Sequence, residues 1–190
     1  MTEMCKVKQK GLHWVTQNEV LSLRKGAKLT RNALRNELIV LMLYRHGLRE
    51  TELCNLRVDY INVDEAKLFI KRLKGSNDCN QPIKGDELRL IKRYLAIRAK
   101  KSSRHLPWLF ISEQGNQLSR FTVIKAIATC ANLAKLRKIT PHMLRHGCGY
   151  YLANKGIDVR VIQDYLGHKK IQNTVLYTRL SGKRFERLWD

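Results

Sequence analysis

Two side chains suited to phosphate chemistry sit three residues apart in the run Pro141-His-Met-Leu-Arg145. Thr140-Pro141 reads as a helix start, an N-cap followed by proline at the first helical position, and residues three apart on a helix share a face. A planar guanidinium beside a hydrogen-bonding imidazole matches two non-bridging phosphate oxygens. The same pair serves equally well as an ordinary surface pair, and the short pattern alone does not choose. His142 and His146 have the i, i+4 spacing of a metal pair. Between them stand Met-Leu-Arg, without the glutamate that a metalloprotease needs after its first histidine, and an arginine beside a cation site is unfavourable. No metal is expected.

Charge gives the class of partner. The 190 residues carry 37 Lys and Arg against 16 Asp and Glu, a formal net charge of +21. The excess is shared, +13 over residues 1–134 and +8 over 135–190, so it is not a basic tail on a neutral domain. With 44% hydrophobic residues the chain is foldable, and a basic foldable chain binds a polyanion more readily than it does anything else. A basic protein with no nucleic-acid role is the alternative. The length suits one domain, which at this size buries roughly 70% of its unfolded surface. The longest apolar run, Leu38 to Tyr44, is seven residues, far short of the ~18 to 20 of a membrane span. The N-terminus has no apolar signal region. Five cysteines, an odd number without a CxxC pair, argue against a zinc cluster or disulfide framework and suit a reducing cytoplasm.

The positioning elements read as mainly helical. Thr16 to Glu19 is a capping box. Thr30 reads as the cap of a helix with Leu34, Leu38 and Leu41 on one face, closing at Gly47. A short helix covers about Glu50 to Leu56. The period then falls to two: Ile61 and Val63, then Leu68 and Ile70, predict strands joined at Asp64-Glu65, with a hairpin tip at Lys74 to Asp78 and a return strand ending near Pro82-Ile83. Asp86 reads as the cap of a long helix with Leu88, Ile91 and Leu95 inward; Ser119 reads as the cap of another with Ile124, Ile127, Ala128 and Ala131 inward. Trp108 to Ile111 is a short extended piece. After the Thr140 helix, stopped by Gly156, Asp158 caps one ending at Leu166-Gly167 and Asn173 caps a last one carrying Tyr177.

A wider ordered set surrounds His142 and Arg145. It comprises Gly47-Leu-Arg49-Glu-Thr-Glu52-Leu, Lys74 in the hairpin, Leu166-Gly-His168, and Tyr177 within Thr174-Val-Leu-Tyr-Thr178. Arg145 precedes His168 by 23 residues, and His168 precedes Tyr177 by 9. In this order the chain from about residue 16 onward resembles the catalytic domain of the tyrosine recombinase, or phage integrase-like, family. Residues 141–149 and 156–168 are similar to the short invertases that switch fimbrial genes. The resemblance implies a mainly α fold with a small antiparallel β-sheet, divided as a basic arm over 1–15 and a catalytic domain over 16–190, with the separate N-terminal clamp domain absent.

It also implies a reaction. Tyr177 attacks the scissile phosphate, forming a 3′-phosphotyrosyl link and freeing a 5′-hydroxyl, with no ATP, metal or other cofactor. Arg49 and Arg145 surround the phosphate, Lys74 protonates the departing oxygen, His142 assists proton transfer, His168 hydrogen-bonds the phosphate and Glu52 orients Arg49 from behind. Each residue has a plainer role open to it. Arg49 pairs with Glu52, Lys67 or Lys71 competes with Lys74, His168 is a helix C-cap, and Tyr150, Tyr151 and Tyr165 compete with Tyr177. Lys71, Arg72, Lys169, Lys170, Arg179 and Arg184 are expected to touch DNA phosphates or else to form a solvated face. The implied partners are double-stranded DNA with inverted-repeat sites, three further copies of the chain in a homotetramer, and DNA-bending accessory proteins, with no membrane; the tail Phe185 to Asp190 docks on a neighbouring copy, as in the family, or packs on its own chain. The implied compartment is the bacterial cytoplasm, in association with the nucleoid. A type IB topoisomerase and a non-catalytic DNA-binding regulator are the alternatives. If six to ten phosphates are neutralised, affinity for duplex DNA falls by ~10³ to 10⁵ between 50 and 200 mM salt; a flat salt response in a titration would remove DNA as the partner.

Overall fold

The computed structural model describes residues 13–73, 76–100 and 102–179, the side chains of Ser102 and Arg179 left aside. Lys74, Arg184 and the tail from Phe185 lie outside the described residues. The chain opens with α1 (Gln17–Lys28), whose capping box is complete: the Glu19 amide donates to Thr16 Oγ1 at 3.2 Å and the Thr16 amide donates to the Glu19 carboxylate at 2.8 Å. Ahead of it, Val15 is buried and Trp14 packs on Tyr150 with ring centroids 4.0 Å apart. The arm expected through residue 15 therefore joins the fold before the first helix.

Helix α2 (Ala33–Arg45) runs through the middle of the molecule, touching α1 and four later helices. Every residue from Arg35 to Tyr44 is buried, where the sequence predicted a single apolar face. Its buried Glu37 is met by Arg24 at 3.0 Å, and Arg45 at its end forks onto Asp86 at 2.7 and 2.9 Å. Thr30 does not cap it. The helix begins after Asn32, and the Thr30 hydroxyl instead donates to the Ala27 carbonyl and accepts from the Asn36 amide at 2.9 Å, tying the end of α1 to the first turn of α2.

After α3 (Glu50–Cys54) and a 3-10 turn, three short strands form one antiparallel sheet in sequence order: β1 (Ile61–Asn62), β2 (Lys67–Ile70) and β3 (Cys79–Pro82). Leu68 and Ile70 are buried while Lys67 is exposed, as period-two alternation requires. Helix α4 (Gly85–Ala99) starts one residue before Asp86, with Lys84 as cap, which frees Asp86 to receive Arg45. Its inner face carries Glu87, Leu90, Ile91, Tyr94 and Arg98, with Leu88 and Leu95 only half-buried. Arg98 can sit inward because carbonyls of Leu106 and Trp108 accept from its guanidinium.

Helix α5 (Arg120–Leu133) is capped by Ser119 as expected, but buries Val123, Ala126, Ile127, Cys130 and Ala131 and turns Ile124 and Ala128 outward. Close approach explains the rotation. A Cβ on Gly26 of α1 would stand 2.2 Å from the Cys130 carbonyl, so the small residues of α5 face this contact. Helix α6 (Pro141–Asn154) starts at Thr140-Pro141, and α7 (Val159–Leu166) is capped by Asp158 and closed by Gly167 in the left-handed region at φ +65°. The last helix, α8 (Gln172–Arg179), begins one residue before Asn173. Helices α6, α7 and α8 enclose a second small core of Cys148, Ala153, Ile162, Leu166 and Tyr177 beside the main one. No helix among the described residues is long and apolar enough to cross a membrane.

Thr16 supplies half of the box at the start of α1. Thr16→Ala should cost about 1 kcal/mol and lower Tm by roughly 2 to 4 °C in a chain of this size, while Thr16→Ser stays near wild type in thermal unfolding; equal Tm values for all three would mean the box adds nothing.

Candidate active site

One carboxylate organises the site. Glu52, 2% exposed, lies at the third position of α3 and turns back onto the residue that starts the helix: the Arg49 amide donates to Oε2 at 3.0 Å and Arg49 Nη1 to Oε1 at 2.6 Å. Arg72 Nη1, from the end of the sheet, reaches Oε2 at 2.8 Å, and Arg145 Nη1, from α6, lies 3.9 Å from it. Burial by itself raises the Glu52 pKa. The Arg72 charge, the Arg49 amide and the charges of Arg145 and Arg49 outweigh it and hold the carboxyl below its ordinary 4.5.

The same three guanidiniums share the carbonyl end of α7. Tyr165 O accepts from Arg72, Leu166 O from Arg145 at 2.7 Å, and Gly167 O from Arg49 at 3.2 Å. These free carbonyls carry the negative end of the helix dipole. Arg145 also donates to the Gly47 carbonyl, and burial lowers its pKa to about 10, which leaves it cationic at neutral pH. One carboxylate against three guanidiniums leaves a formal excess of two positive charges for an incoming anion.

His168 follows Gly167 directly. Its Nδ1 lies 2.8 Å from the hydroxyl of buried Thr174, so Nε2 is the ring nitrogen left for a ligand. Its ring stacks on Tyr177 at 6.0 Å and 24°. Burial first, then Arg145 and Arg49, lower the His168 pKa to about 3. Tyr177 is 2% exposed, and burial pushes its phenol up to about 12 against the opposing pull of Arg145. Its ring fits against α6 because residue 149 is glycine: a Cβ there would stand 2.5 Å from Tyr177 Cε2. The phenol oxygen lies 2.9 Å from His146 Nδ1, and His146 Nε2 lies 2.7 Å from His142 Nε2. Burial lowers the His142 pKa below 6.5 and brings His146 down to about 4.

The structure thus gathers Arg49, Glu52, His142, Arg145, His168 and Tyr177 at the junction of α3, α6, α7 and α8. Lys74 lies outside the described residues. Lys71, Lys169 and Lys170 are exposed; Arg184 and the Arg179 side chain are not described. Arg72 corrects the expectation. Its side chain is fully buried, its terminal nitrogens are taken by Glu52 and by the Tyr165 and His46 carbonyls, and its Nε has no partner. It cannot reach a solvent-side phosphate and acts as a strut behind the site. His146, weighed in the sequence only as half of a metal pair, meets the phenol. Among the described residues no group of three His, Cys, Asp or Glu could hold a metal. Gly149 was also missed; its signal is the pair of glycines, Gly147 and Gly149, in the middle of a helix that ought to avoid them.

The fold and the junction together define a DNA strand-transfer class. The sequence model of the phage integrase family matches residues 13–184, and the solved XerA recombinase superposes with a TM-score of 0.80 at 26% identity, over 91% of this chain and 62% of that one. The chain belongs to the phage integrase family, the tyrosine-type site-specific recombinases. Among named relatives it is 40% identical over 186 residues to the type 1 fimbriae regulatory protein FimB of Escherichia coli K12, covering 97% of this chain and 93% of that protein. It is 35% identical over 179 residues to FimE of the same strain, covering 93% and 90%. The structure of XerH bound to palindromic difH substrate shares the fold, with a TM-score of 0.79 at 23% identity over 97% of this chain and 56% of that one.

Removing the organising carboxylate should be costly. Glu52→Ala strands the buried guanidiniums of Arg72 and Arg145 without a counter-charge, a loss of about 3 to 5 kcal/mol. Because the Glu52 pKa is depressed on folding, its contribution is present above the unfolded value and lost as pH falls through the lower folded one. In urea unfolding followed from about pH 5 down to 3, wild type should lose stability that Glu52→Gln does not lose; parallel curves would show that Glu52 is no ionised anchor.

Proposed function

We propose that this chain is a site-specific DNA recombinase that cleaves and rejoins duplex DNA through a 3′-phosphotyrosine at Tyr177, inverting a promoter-bearing segment between short inverted repeats and so switching fimbrial expression. The observation that carries this reading is the Glu52-centred cluster. It holds the charges of Arg49 and Arg145 close enough to act on both His168 and the Tyr177 phenol, and its excess of two positive charges matches the negative charge that grows on a pentavalent phosphate. Arg49 and Arg145 bind the non-bridging oxygens, His168 donates to one of them through Nε2, and Tyr177 Oη forms the new bond to phosphorus as the bond to the 5′ oxygen breaks. Lys74 supplies the proton to that oxygen. The bond energy is conserved in the ester, and the freed 5′-hydroxyl of a partner strand reverses the step. Exposed Lys71, Lys169 and Lys170, with Arg179 and Arg184, hold the flanking backbone. The similarity to FimB and FimE, which spans nearly the whole of those proteins, supports the fimbrial assignment. Strand exchange at paired sites calls for a tetramer on DNA, aided by DNA-bending accessory proteins, in the bacterial cytoplasm at the nucleoid.

Long-read sequencing of cells expressing wild type or Tyr177→Phe locates any invertible segment, and its repeats then supply a nicked suicide duplex. Wild type should invert the segment and form a denaturation-resistant adduct with the duplex; the Phe variant should do neither. Arg145→Ala should slow adduct formation by roughly 10² to 10³ while still binding the site. An adduct from the Phe variant would refute Tyr177 as nucleophile, and relaxation of any supercoiled plasmid regardless of sequence would favour the topoisomerase reading.

A further inference from the structure

We propose that His146 is a catalytic residue: it takes the proton from the Tyr177 phenol on its Nδ1 and passes a proton from its Nε2 to His142. The inference rests on the proposed recombinase reading and deepens it, since the motif-derived set assigned proton transfer to His142 without an atom-to-atom path to the nucleophile. The path is on the page. Tyr177 Oη, His146 Nδ1, His146 Nε2 and His142 Nε2 form a chain with links of 2.9 and 2.7 Å across one imidazole.

The relay uses one of the two tautomers that the contacts allow. In it the phenol O–H donates to His146 Nδ1 across the 2.9 Å contact. A neutral imidazole with an accepting Nδ1 carries its proton on Nε2, and that N–H donates to His142 Nε2. The helix enforces the second link, because His142 and His146 are four apart on α6 and share a face. Gly149 enforces the first by letting the Tyr177 ring lie against the same helix. In the balanced step, the Tyr177 O–P bond forms and the P–O5′ bond breaks. The phenolic proton moves to His146 Nδ1, the Nε2 proton moves to His142 Nε2, and His142 ends as the imidazolium. Any separate proton delivered to the 5′ oxygen comes from the leaving-group side.

Order in time also follows. With the imidazole near 4 and the phenol near 12, a standing phenolate–imidazolium pair is excluded. The transfer has to accompany O–P bond formation, which collapses the basicity of the phenol oxygen. The charged and titratable groups that face the pair are Arg145, Cys148, Tyr150 and His142 on α6, Arg49 at the start of α3, His168 after α7, and His13 ahead of α1. None of the groups acting on Tyr177 or His146 is a carboxylate, while Glu50 at the start of α3 acts on His142 and favours the imidazolium formed there.

The test measures the rate of covalent adduct formation on the nicked suicide duplex from pH 6.5 to 9.5 for wild type and His146→Asn, whose Oδ1 preserves an acceptor near the phenol but not a base. Wild type should be flat above neutral pH. The variant should be slower by about 10² to 10⁴, rising roughly tenfold per pH unit as hydroxide replaces the missing base, with unchanged affinity for the duplex. A duplex with a 5′-bridging sulfur, which leaves without a proton, should not rescue it. Wild-type rate and pH profile in the variant, or rescue by sulfur, overturns the assignment of His146. A variant that folds and binds but is equally slow at every pH assigns His146 to packing alone and also overturns it. Absence of any adduct from wild type is a distinct result that brings down the recombinase reading itself.

Discussion

The site depends on a single buried carboxylate that is outnumbered. Glu52 faces Arg49, Arg72 and Arg145, and the deficit of negative charge is partly made up by the carbonyl end of α7. Each component is costly alone. A buried guanidinium without a partner loses several kcal/mol of solvation, and a buried carboxylate does likewise. Together they hold only if α3, the end of the sheet, α6 and α7 arrive in register. The Gly167 backbone at φ +65° exists to meet that demand: it ends α7 so that its last carbonyls face inward, and a Cβ there would crowd the Arg72 stem at 3.0 Å. The functional residues and the scaffold are therefore one electrostatic unit, and the excess of two positive charges is what remains when the unit is assembled.

Much of this was legible in the sequence, for reasons that differ by residue. Arg49, His142, Arg145, His168 and Tyr177 were singled out because their order and intervals follow a family pattern, and the structure brings them together. The caps at Thr16, Ser119, Thr140 and Asp158 were found because a cap is a local hydrogen bond between residues two or three apart. Arg72 was misread because its sequence neighbourhood, Lys71-Arg72, looks like a solvated basic edge, and its burial is decided by Glu52 and Tyr165, which are 20 and 93 residues away. His146 was discounted because its i, i+4 partner suggested a metal, while its real partner lies 31 residues further on.

The misassigned helix faces have the same origin. On α5 the periodic pattern offers overlapping apolar stripes, and the buried one carries Cys130, whose carbonyl closely approaches Gly26 on another helix. On α4 a buried Arg98 was unreadable, because the carbonyls that satisfy it, of Arg104, Leu106 and Trp108, belong to the connection after the helix, where no apolar period announces an acceptor. Pattern reading ranks apolar residues inward, whereas this chain also places charge inward against fixed hydrogen-bond partners. That habit is general here: Glu37, Glu52, Glu87, Arg72, Arg98 and Arg145 are all buried.

The arginines also bear on the imidazoles. At His168 the cationic surroundings add to burial in disfavouring protonation, and Arg145 does the same at His146. A site built only to hold phosphate would gain from a charged histidine. A site that must also remove a proton from a phenol cannot use one, since an imidazolium has no lone pair to offer. The guanidiniums resolve the conflict by supplying the permanent positive charge while keeping the rings neutral. In the proposed reaction the balance reverses on arrival of the substrate. A phosphodiester brings one negative charge, and the pentavalent state carries two. As that charge grows it offsets the arginines, the imidazoles bind protons more strongly, and the phenol loses its own most easily at the moment when its oxygen bonds to phosphorus. In the proposed reaction Tyr177, buried and held near 12 in the protein alone, gives up its proton as its oxygen bonds to phosphorus, because that bond removes the oxygen's basicity.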